Sequence, residues 1–317
     1  MTVAASARVL VAGSANLDLV VRAPHVPAPG ETVLGHGFST FPGGKGANQA
    51  VACARAGGVA TQMLLALGED DFAAPIEASL RAAGVLLSSV RDPILPTGTA
   101  FICLADTAEN AITVAPGANM ALRSEHLPPL DGIGWLLLQL ETPLDTVTAY
   151  ARRARAAGVQ VALNAAPAQP LPDELLSLLD VLIVNEGELQ VVAGDPPDLA
   201  TGLARLQVPC VIVTLGARGC LARVGGQTVL QPAFRIAPTD TTAAGDTFCG
   251  VLVAALAGHQ PLADALLAAT AASALACTRL GAQASIPAHA DVDALLSDPA
   301  RIPGADAHAA LAAWCAR

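Results

Sequence analysis

Short apolar runs alternate with longer alanine-rich segments along most of the chain. Arg8–Ala12 predicts a strand, and Lys45–Ala56 a helix that stops at Gly57-Gly58. Val59–Ala66 predicts a second strand, and Asp70–Ala83 a helix ending at Gly84. Trp135–Leu140, Val159–Leu163, Val181–Val184 and Val211–Thr214 are largely continuous apolar runs, which suits strands buried on both faces. Segments 144–157 and 198–206 suit helices between them. This βαβ rhythm predicts an α/β fold of three layers, αβα, around a mainly parallel sheet. In the last third, Gly245–Leu256 and Leu262–Cys277 predict two long helices, punctuated by Gly258 and Pro261.

Two segments break the rhythm. Leu17–Phe41 holds Val20-Val21, a Pro- and Gly-rich stretch at Pro24–Gly30, then Thr32–Thr40. Thr97–Ala115 holds an apolar run, a polar turn at Asp106–Asn110, then Ala-Ile-Thr-Val. Both predict antiparallel hairpin strands. Inserted at about 17–41 and 97–115, they would form a small second sheet placed as a lid. With no linker, repeat or low-complexity tract, residues 1–317 are expected to form one domain carrying that insert.

Composition narrows the function. Apolar residues make up 53% and charged residues 14%, which excludes an intrinsically disordered chain. The net charge of −10 disfavours a nucleic-acid coat or a binder of anionic membranes. Mean hydropathy is high, at +0.52, but the apolar runs fall well short of the ~20 residues a spanning helix needs. The N-terminus MTVAASARVLVAG lacks a basic start followed by an apolar core, so Ala5-Ser6-Ala7 is not expected to be a signal cleavage site. The seven cysteines include no C-x-x-C pair and read as free thiols in a reducing cytoplasm. The six histidines show no zinc-ligand spacing, and no G-x-S-x-G suggests a hydrolase.

Two constellations carry chemistry. Phe41-Pro-Gly-Gly-Lys-Gly-Ala-Asn-Gln49 leaves backbone bare just before a helix, where N–H groups attract polar or anionic ligands. An ordinary glycine-rich turn would explain the same residues. The segment is not a P-loop, because Ser39 stands where the first glycine belongs. No G-x-G-x-x-G follows the first strand either, which weakens a dehydrogenase reading. The second constellation is Asp240-Thr-Thr-Ala-Ala-Gly-Asp246-Thr-Phe, leading into an apolar helix. Small residues 243–245 would let consecutive N–H groups converge on one anion at the positive end of the helix. Asp246 would then stand where a carboxylate could take the proton of an attacking alcohol. A helix cap explains one carboxylate, but not the small residues before it.

These two segments, with Asn185-Glu-Gly-Glu188 between them, resemble the signatures of the ribokinase, or PfkB, family of carbohydrate kinases. The matches keep the expected order from about residue 8 to about 287. The resemblance implies an ATP-dependent sugar kinase acting on the 5-hydroxyl of ribose. Another sugar or a nucleoside as substrate, or a non-catalytic sugar- or nucleotide-binding protein on the same fold, are the alternatives. It implies Asp246 as general base, with Ala243, Ala244 and Gly245 as the anion hole. Asn16, Asp18, Gly44, Lys45, Asn48 and Glu141 would bind the sugar. Asn185 and Thr214-Leu215-Gly216-Ala217-Arg218-Gly219, with Gly245 and Asp246, would meet the nucleotide, and Glu188 would be associated with Mg²⁺. For the adenine pocket, Ala269 and Thr270 stay open as choices. A K⁺ site would draw on Asp240, Thr242, Ala276, Arg279, Gly281 and Ser285, mostly through carbonyls, although a plain helix cap at Gly281 fits the same loop. The resemblance and the apolar strands together suggest a homodimer paired through the lid.

Overall fold

Alternate residues of the first strand enter two different cores. In β1 (Arg8–Ala12), Val9 and Val11 are buried on one face, Leu10 and Ala12 on the other. A strand can do this only with a layer on each side. The computed structural model describes residues 8–107 and 109–316.

The chain continues through β2 (Asn16–Ala23) and β3 (Gly37–Gly43) into helix α1 (Lys45–Val51). Then come β4 (Thr61–Gly68), α2 (Ala73–Ala82), β5 (Leu86–Asp92), β6 (Gly98–Ala105), β7 (Asn110–Ala115) and β8 (Ile133–Leu138). The middle runs α3 (Leu144–Ala156), β9 (Gln160–Asn164), α4 (Asp173–Leu178), β10 (Val181–Asn185), α5 (Glu186–Val192) and α6 (Leu199–Arg205). It closes with β11 (Cys210–Thr214), β12 (Gly219–Val224), β13 (Gln227–Pro232), α7 (Ala244–Ala257), α8 (Leu262–Ala276), α9 (His289–Leu296) and α10 (Ala305–Cys315).

Nine strands form the main sheet, in the order β13-β12-β11-β10-β9-β8-β1-β4-β5. It is parallel from β11 to β5, and the antiparallel pairs β11–β12 and β12–β13 finish one edge. Helices α1, α2, α7, α8 and α9 pack on the Val9 face, and α3 to α6 on the Leu10 face. This is the three-layer arrangement that the βαβ rhythm predicts. Strands β3-β2-β6-β7 form the small second sheet. Its β2–β3 and β6–β7 pairs are antiparallel as expected, but β2 pairs β6 in parallel. Most of a βαβ excursion separates those two strands, so no hairpin signal could show that pairing. The turn expected at Asp106–Asn110 includes Ala108 and so lies partly outside the described residues, as does Ala5-Ser6-Ala7 entirely.

Other boundaries moved for local reasons. The helix expected over Lys45–Ala56 is α-helical only to Val51 and continues as a π-helix from Ala52 to Ala56. There the amide of Gly57 reaches back five residues to the carbonyl of Ala52. The helix expected from Asp70 starts at Ala73, because the Asp70 carboxylate instead accepts from the amides of Phe72 and Thr97. The strand expected to reach Leu140 ends at Leu138, which frees Gln139 and Glu141. All seven cysteines are free thiols. No helix among the described residues is long and apolar enough to cross a membrane.

One contact sets the depth of α7 against α1. A methyl group on Gly250 would lie 2.5 Å from the Cβ of Ala52 and 2.5 Å from the main-chain oxygen of Gln49. Neither atom can swing aside. Alanine would gain about 1 kcal/mol of helix propensity, against about 1–3 kcal/mol for overpacking. Because a backbone atom is involved, overpacking wins. Gly250→Ala should lower the unfolding free energy by about 1–2 kcal/mol in urea titration. A variant as stable as the parent would show that α1 and α7 can separate without penalty.

Candidate active site

The order of the strands reverses beside β1. The chain runs outward from β1 to β4 and β5, then returns on the other flank as β8. Open α/β sheets bind ligands at the carboxyl ends of strands beside such a point. Here the segments leaving β1 and β8 supply Ser14, Gln139 and Glu141.

The glycine-rich turn leads into α1 by a tight approach. Gly44 has φ of +90°, and a Cβ there would lie 2.8 Å from both the Cα of Ala15 and the amide nitrogen of Asn16. Only glycine fits. The amides that follow are not free for a ligand. Lys45 N–H donates to Glu141 Oε2 at 3.0 Å, Gly46 N–H to Ser14 Oγ at 3.2 Å, and Ala47 N–H to the Ser14 carbonyl at 2.9 Å. The Ser14 hydroxyl donates to Glu141 in turn. The expectation of bare amides at this helix start is therefore corrected. Glu141 is the anion that occupies it, and the helix dipole favours a carboxylate there.

The start of α7 is different. Ala243, at the N-cap, is left-handed, with φ 58° and ψ 11°. That conformation costs a non-glycine residue about 1 kcal/mol, and it turns successive amides toward one concave face. The Ala244 amide turns back to the carbonyl of Thr241 at 3.2 Å. Among the described residues no acceptor faces the amides of Gly245 and Asp246. A side chain at Gly245 would meet nothing within 4 Å, so the approach is open.

Asp246 is buried in the first turn of α7. Asn48 Nδ2 donates to its Oδ2 at 2.9 Å, and Gln49 Nε2 to its Oδ1 at 3.0 Å. Burial pushes the pKa of this carboxyl up; the Lys45 charge and the two amides pull it back only in part. Asp18 lies on the same side. Burial, then the charges of Glu141 and Asp246, raise its pKa to about 7. Burial works against the Lys45 ammonium, but Asp246 and Glu141 outweigh it, and the net shift is upward. Asn16 and Asp18 share one face of β2, as an extended segment requires. The side-chain oxygen of Asn16 accepts from Asn119 Nδ2 at 2.7 Å. Asn16, Asp18, Gly44, Lys45, Asn48, Glu141 and Asp246 thus gather around one region.

The expected nucleotide residues lie along the ends of β10 and β11. Asn185 and Glu188 form a reciprocal cap on α5: Glu188 N–H donates to Asn185 Oδ1, and Asn185 N–H to Glu188 Oε2, each at 2.8 Å. The N-x-x-E spacing is that of a capping box, which explains both side chains before any ligand is invoked. Burial raises the pKa of Glu188, partly opposed by the Asn185 amide and by Lys45. Gly216, Ala217 and Arg218 make one 3₁₀ turn between Thr214 and Gly219. Leu215 is buried in the core, so it can offer a ligand only its backbone. Arg218 pairs with Glu186 and lies 4.1 Å above the Trp314 ring. Ala269 and Thr270 are both buried, and the Thr270 hydroxyl donates to the Leu266 carbonyl at 2.7 Å.

Among the expected cation residues, Asp240 meets Thr242 and Gly281. Asp240 Oδ1 accepts from the amide and hydroxyl of Thr242, and Oδ2 accepts from Gly281 N–H at 2.9 Å. The carbonyls of Thr242, Arg279, Gly281 and Ser285 accept no hydrogen bond among the described residues, whereas that of Ala276 takes the Arg279 amide. The Arg279 side chain turns outward to Asp291.

Sequence reasoning missed Ser14, Asn119, Gln139 and Asn164, all buried polar residues facing this region. Two of them had a signal. Gln139 and Asn164 end buried strands just as Glu141 follows one. Ser14 and Asn119 had none, because their partners are far away in sequence.

Known proteins are similar to this chain in fold and sequence. The pattern of the pfkB family carbohydrate kinases matches residues 6–289. A ribokinase of Haemophilus influenzae is 38% identical over 290 residues, covering 87% of this chain and 94% of its own. A deoxyribokinase of Salmonella typhi is 32% identical over 292 residues, covering 88% of this chain and 95% of its own. The structure of an Arabidopsis thaliana ribokinase complexed with ribose and ATP superposes with a TM-score of 0.86 at 32% identity, covering 92% of this chain and 99% of that one. With a family match across most of its length and a site assembled from the family's own signature segments, this chain belongs to the pfkB family of carbohydrate kinases.

Proposed function

We propose that this protein is an ATP-dependent ribokinase, transferring the γ-phosphoryl group of ATP to the 5-hydroxyl of D-ribose. One observation carries the reading: a buried carboxylate, Asp246, stands at a helix start where the Gly245 and Asp246 amides meet no acceptor. Asp246 takes the proton from the 5-hydroxyl as that oxygen attacks the γ-phosphorus. The bond to the β–γ bridging oxygen breaks, and ADP leaves with the electron pair. The open amides, helped by the helix dipole, receive charge that develops on the transferring group. Ala243 and Ala244 shape that turn. Lys45 holds positive charge near the same point. Asn16, Asp18, Asn48 and Glu141 present oxygen and amide groups to the sugar hydroxyls, over the backbone of Gly44.

Asn185 and the turn from Thr214 to Gly219, including Gly216, Ala217 and Arg218, border the nucleotide. Mg²⁺ bound with the nucleotide supplies charge neutralisation on the phosphates. The residues fit an ion that arrives with its substrate, since Glu188 keeps one carboxylate oxygen outside its capping box and no cluster of three ligating side chains exists among the described residues. K⁺ fits the Asp240 loop. The free carbonyls of Thr242, Arg279, Gly281 and Ser285, beside one carboxylate, are the donor set of a hard monovalent ion, while Ala276 has already given its carbonyl away. The whole chain works as one unit, with β2, β3, β6 and β7 as a lid over the sugar.

The lid also suggests a homodimer. Phe38 and Phe101 on one face, with Ile112 and Val114 on the other, are exposed, Phe38 by 66% and Ile112 by 56%. A second copy pairing its lid would cover them. Sedimentation equilibrium should give twice the chain mass, and Phe38→Lys with Ile112→Lys should give the monomer. A parent protein that sediments as a monomer at micromolar concentration would end the dimer reading.

Asp246→Asn should remove at least about 10²-fold of kcat while ribose binding stays measurable by calorimetry. Retention of more than about a tenth of parent kcat would deny Asp246 the role of base.

The substrate is tested by kcat/KM for ribose, 2-deoxyribose, fructose and adenosine, each measured in K⁺ and in Na⁺ at equal ionic strength. Removing one hydroxyl leaves a buried partner unpaired at about 1–3 kcal/mol, so ribose should exceed 2-deoxyribose by roughly tenfold. Rates in K⁺ should exceed those in Na⁺. A tie between the pentoses, or a win for fructose or adenosine, would change the substrate and leave the kinase. Identical rates in both salts would remove the K⁺ site.

A further inference from the structure

Gln49 follows Asn48 in α1, yet its buried side chain reaches the opposite oxygen of the same carboxylate. Its amide is fully used. Nε2 donates to Asp246 Oδ1 and to Asn164 Oδ1, both at 3.0 Å, and Oε1 accepts from Gln139 Nε2 at 2.7 Å. Asn164 ends β9 and is tied through Nδ2 to the Ile183 carbonyl of β10. Gln139 leaves the end of β8 and is fully buried. Groups at two neighbouring strand ends, one of them anchored to β10, therefore fix which way one amide points. A flipped Gln49 would set its oxygen against two oxygens and its nitrogen against a third donor, so only one orientation satisfies all partners.

We propose that Gln49 is a positioning residue for phosphoryl transfer: locked by Gln139 and Asn164, it holds Oδ1 of Asp246 so that Oδ2 faces the sugar hydroxyl and the carboxylate stays ionised between turnovers. The inference rests on Asp246 being the general base. Gln49 has no path to the substrate itself, since both its amide hydrogens and its oxygen are spent inside the protein. Asn48 is different. It uses one hydrogen on Asp246, and its Oδ1 has no protein partner. The two neighbours thus differ: Gln49 is fully tied to the sheet side, while Asn48 keeps a buried oxygen without a protein partner.

The charge state of Asp246 is set by groups on every surrounding element. Burial opposes the carboxylate first; Lys45 from α1 favours it and Glu141 after β8 opposes it, while Asp246 in turn raises Asp18 of β2, Glu188 of α5 and the buried Cys249 thiol of α7. Against that acidic surplus, a neutral donor aimed at Oδ1 stabilises the ionised form without adding a charge the sugar would have to displace. Removing it should let the carboxylate bind a proton at a higher pH than in the parent.

Gln49→Met keeps the volume and removes the donor. It should lower kcat by roughly tenfold or more, leave KM for ribose within about twofold, and move the acid limb of kcat/KM to higher pH. Gln139→Leu, which only unlocks the Gln49 amide, should move the limb the same way by less. Activity is counted per mole of folded protein by near-ultraviolet circular dichroism, and if Gln49→Met does not fold, Gln139→Leu alone decides. A parent-like kcat, or a lower kcat with the acid limb unmoved, would overturn the proposal, because a purely structural role would leave the limb in place. Asp246→Asn is assayed alongside. If that variant is inactive while Gln49→Met matches the parent, this inference fails alone. If Asp246→Asn stays active, the base reading fails and takes this inference with it.

Discussion

A buried carboxylate at a helix start is the constraint on which the rest of the structure depends. Burial pushes the Asp246 carboxyl toward its protonated form, whereas the proposed role as base requires it ionised. The fold answers with a cation, two side-chain amides and the dipole of a 14-residue helix. Each of these requires α7 to lie very close to α1. Gly250 permits that approach, and the small residues around Ala52 accept it. The packing of two helices and the charge state of one side chain are therefore one problem.

The acidic surplus extends the argument to the sugar side. Asp246, Glu141 and Glu188 act on a single lysine, Lys45, and Asp18 lies near Glu141 and Asp246. Glu141 is settled by the Ser14 hydroxyl and the α1 amide it caps. The Asp18 carboxyl accepts no hydrogen bond among the described residues, and burial first, then the charges of Glu141 and Asp246, push its pKa up to about 7. A polyhydroxylated ligand relieves this surplus, because hydroxyls donate to both the ionised and the protonated neighbour. On the proposed reading a pocket of this kind would suit a small neutral sugar and repel another anion, while the open amides of α7 and Lys45 would take the phosphate. The site would then separate its two substrates by charge.

The comparison of chain and structure is uneven, and the unevenness is physical. The inner strands β1, β4, β8, β9, β10 and β11 were legible because burial on both faces leaves mostly apolar residues at their centres. Helices α7 and α8 were legible to within one residue, because Gly258 and Pro261 break the pattern at their junction. Edge strand β5 escaped notice, since it carries Ser88, Ser89, Arg91 and Asp92 on a half-exposed edge. The glycine-rich turn was found, but its use was misjudged: its amides serve Glu141 and Ser14, from segments 96 and 32 positions away.

The sequence by itself determined the layers, the order of the elements and the segments that carry charge and amides, because periodicity and turn chemistry are local properties. Only the tertiary structure decided which polar groups face one another. Asn48 and Gln49 converge on Asp246 across 198 and 197 positions, and Asn16 finds Asn119 across 103. It also decided which amides stay open, those of α7, and which are closed, those of α1. The physical reason is that a hydrogen bond is satisfied by proximity in space, and a buried polar group must find its partner there. Local pattern names the groups that need partners, and packing alone assigns them.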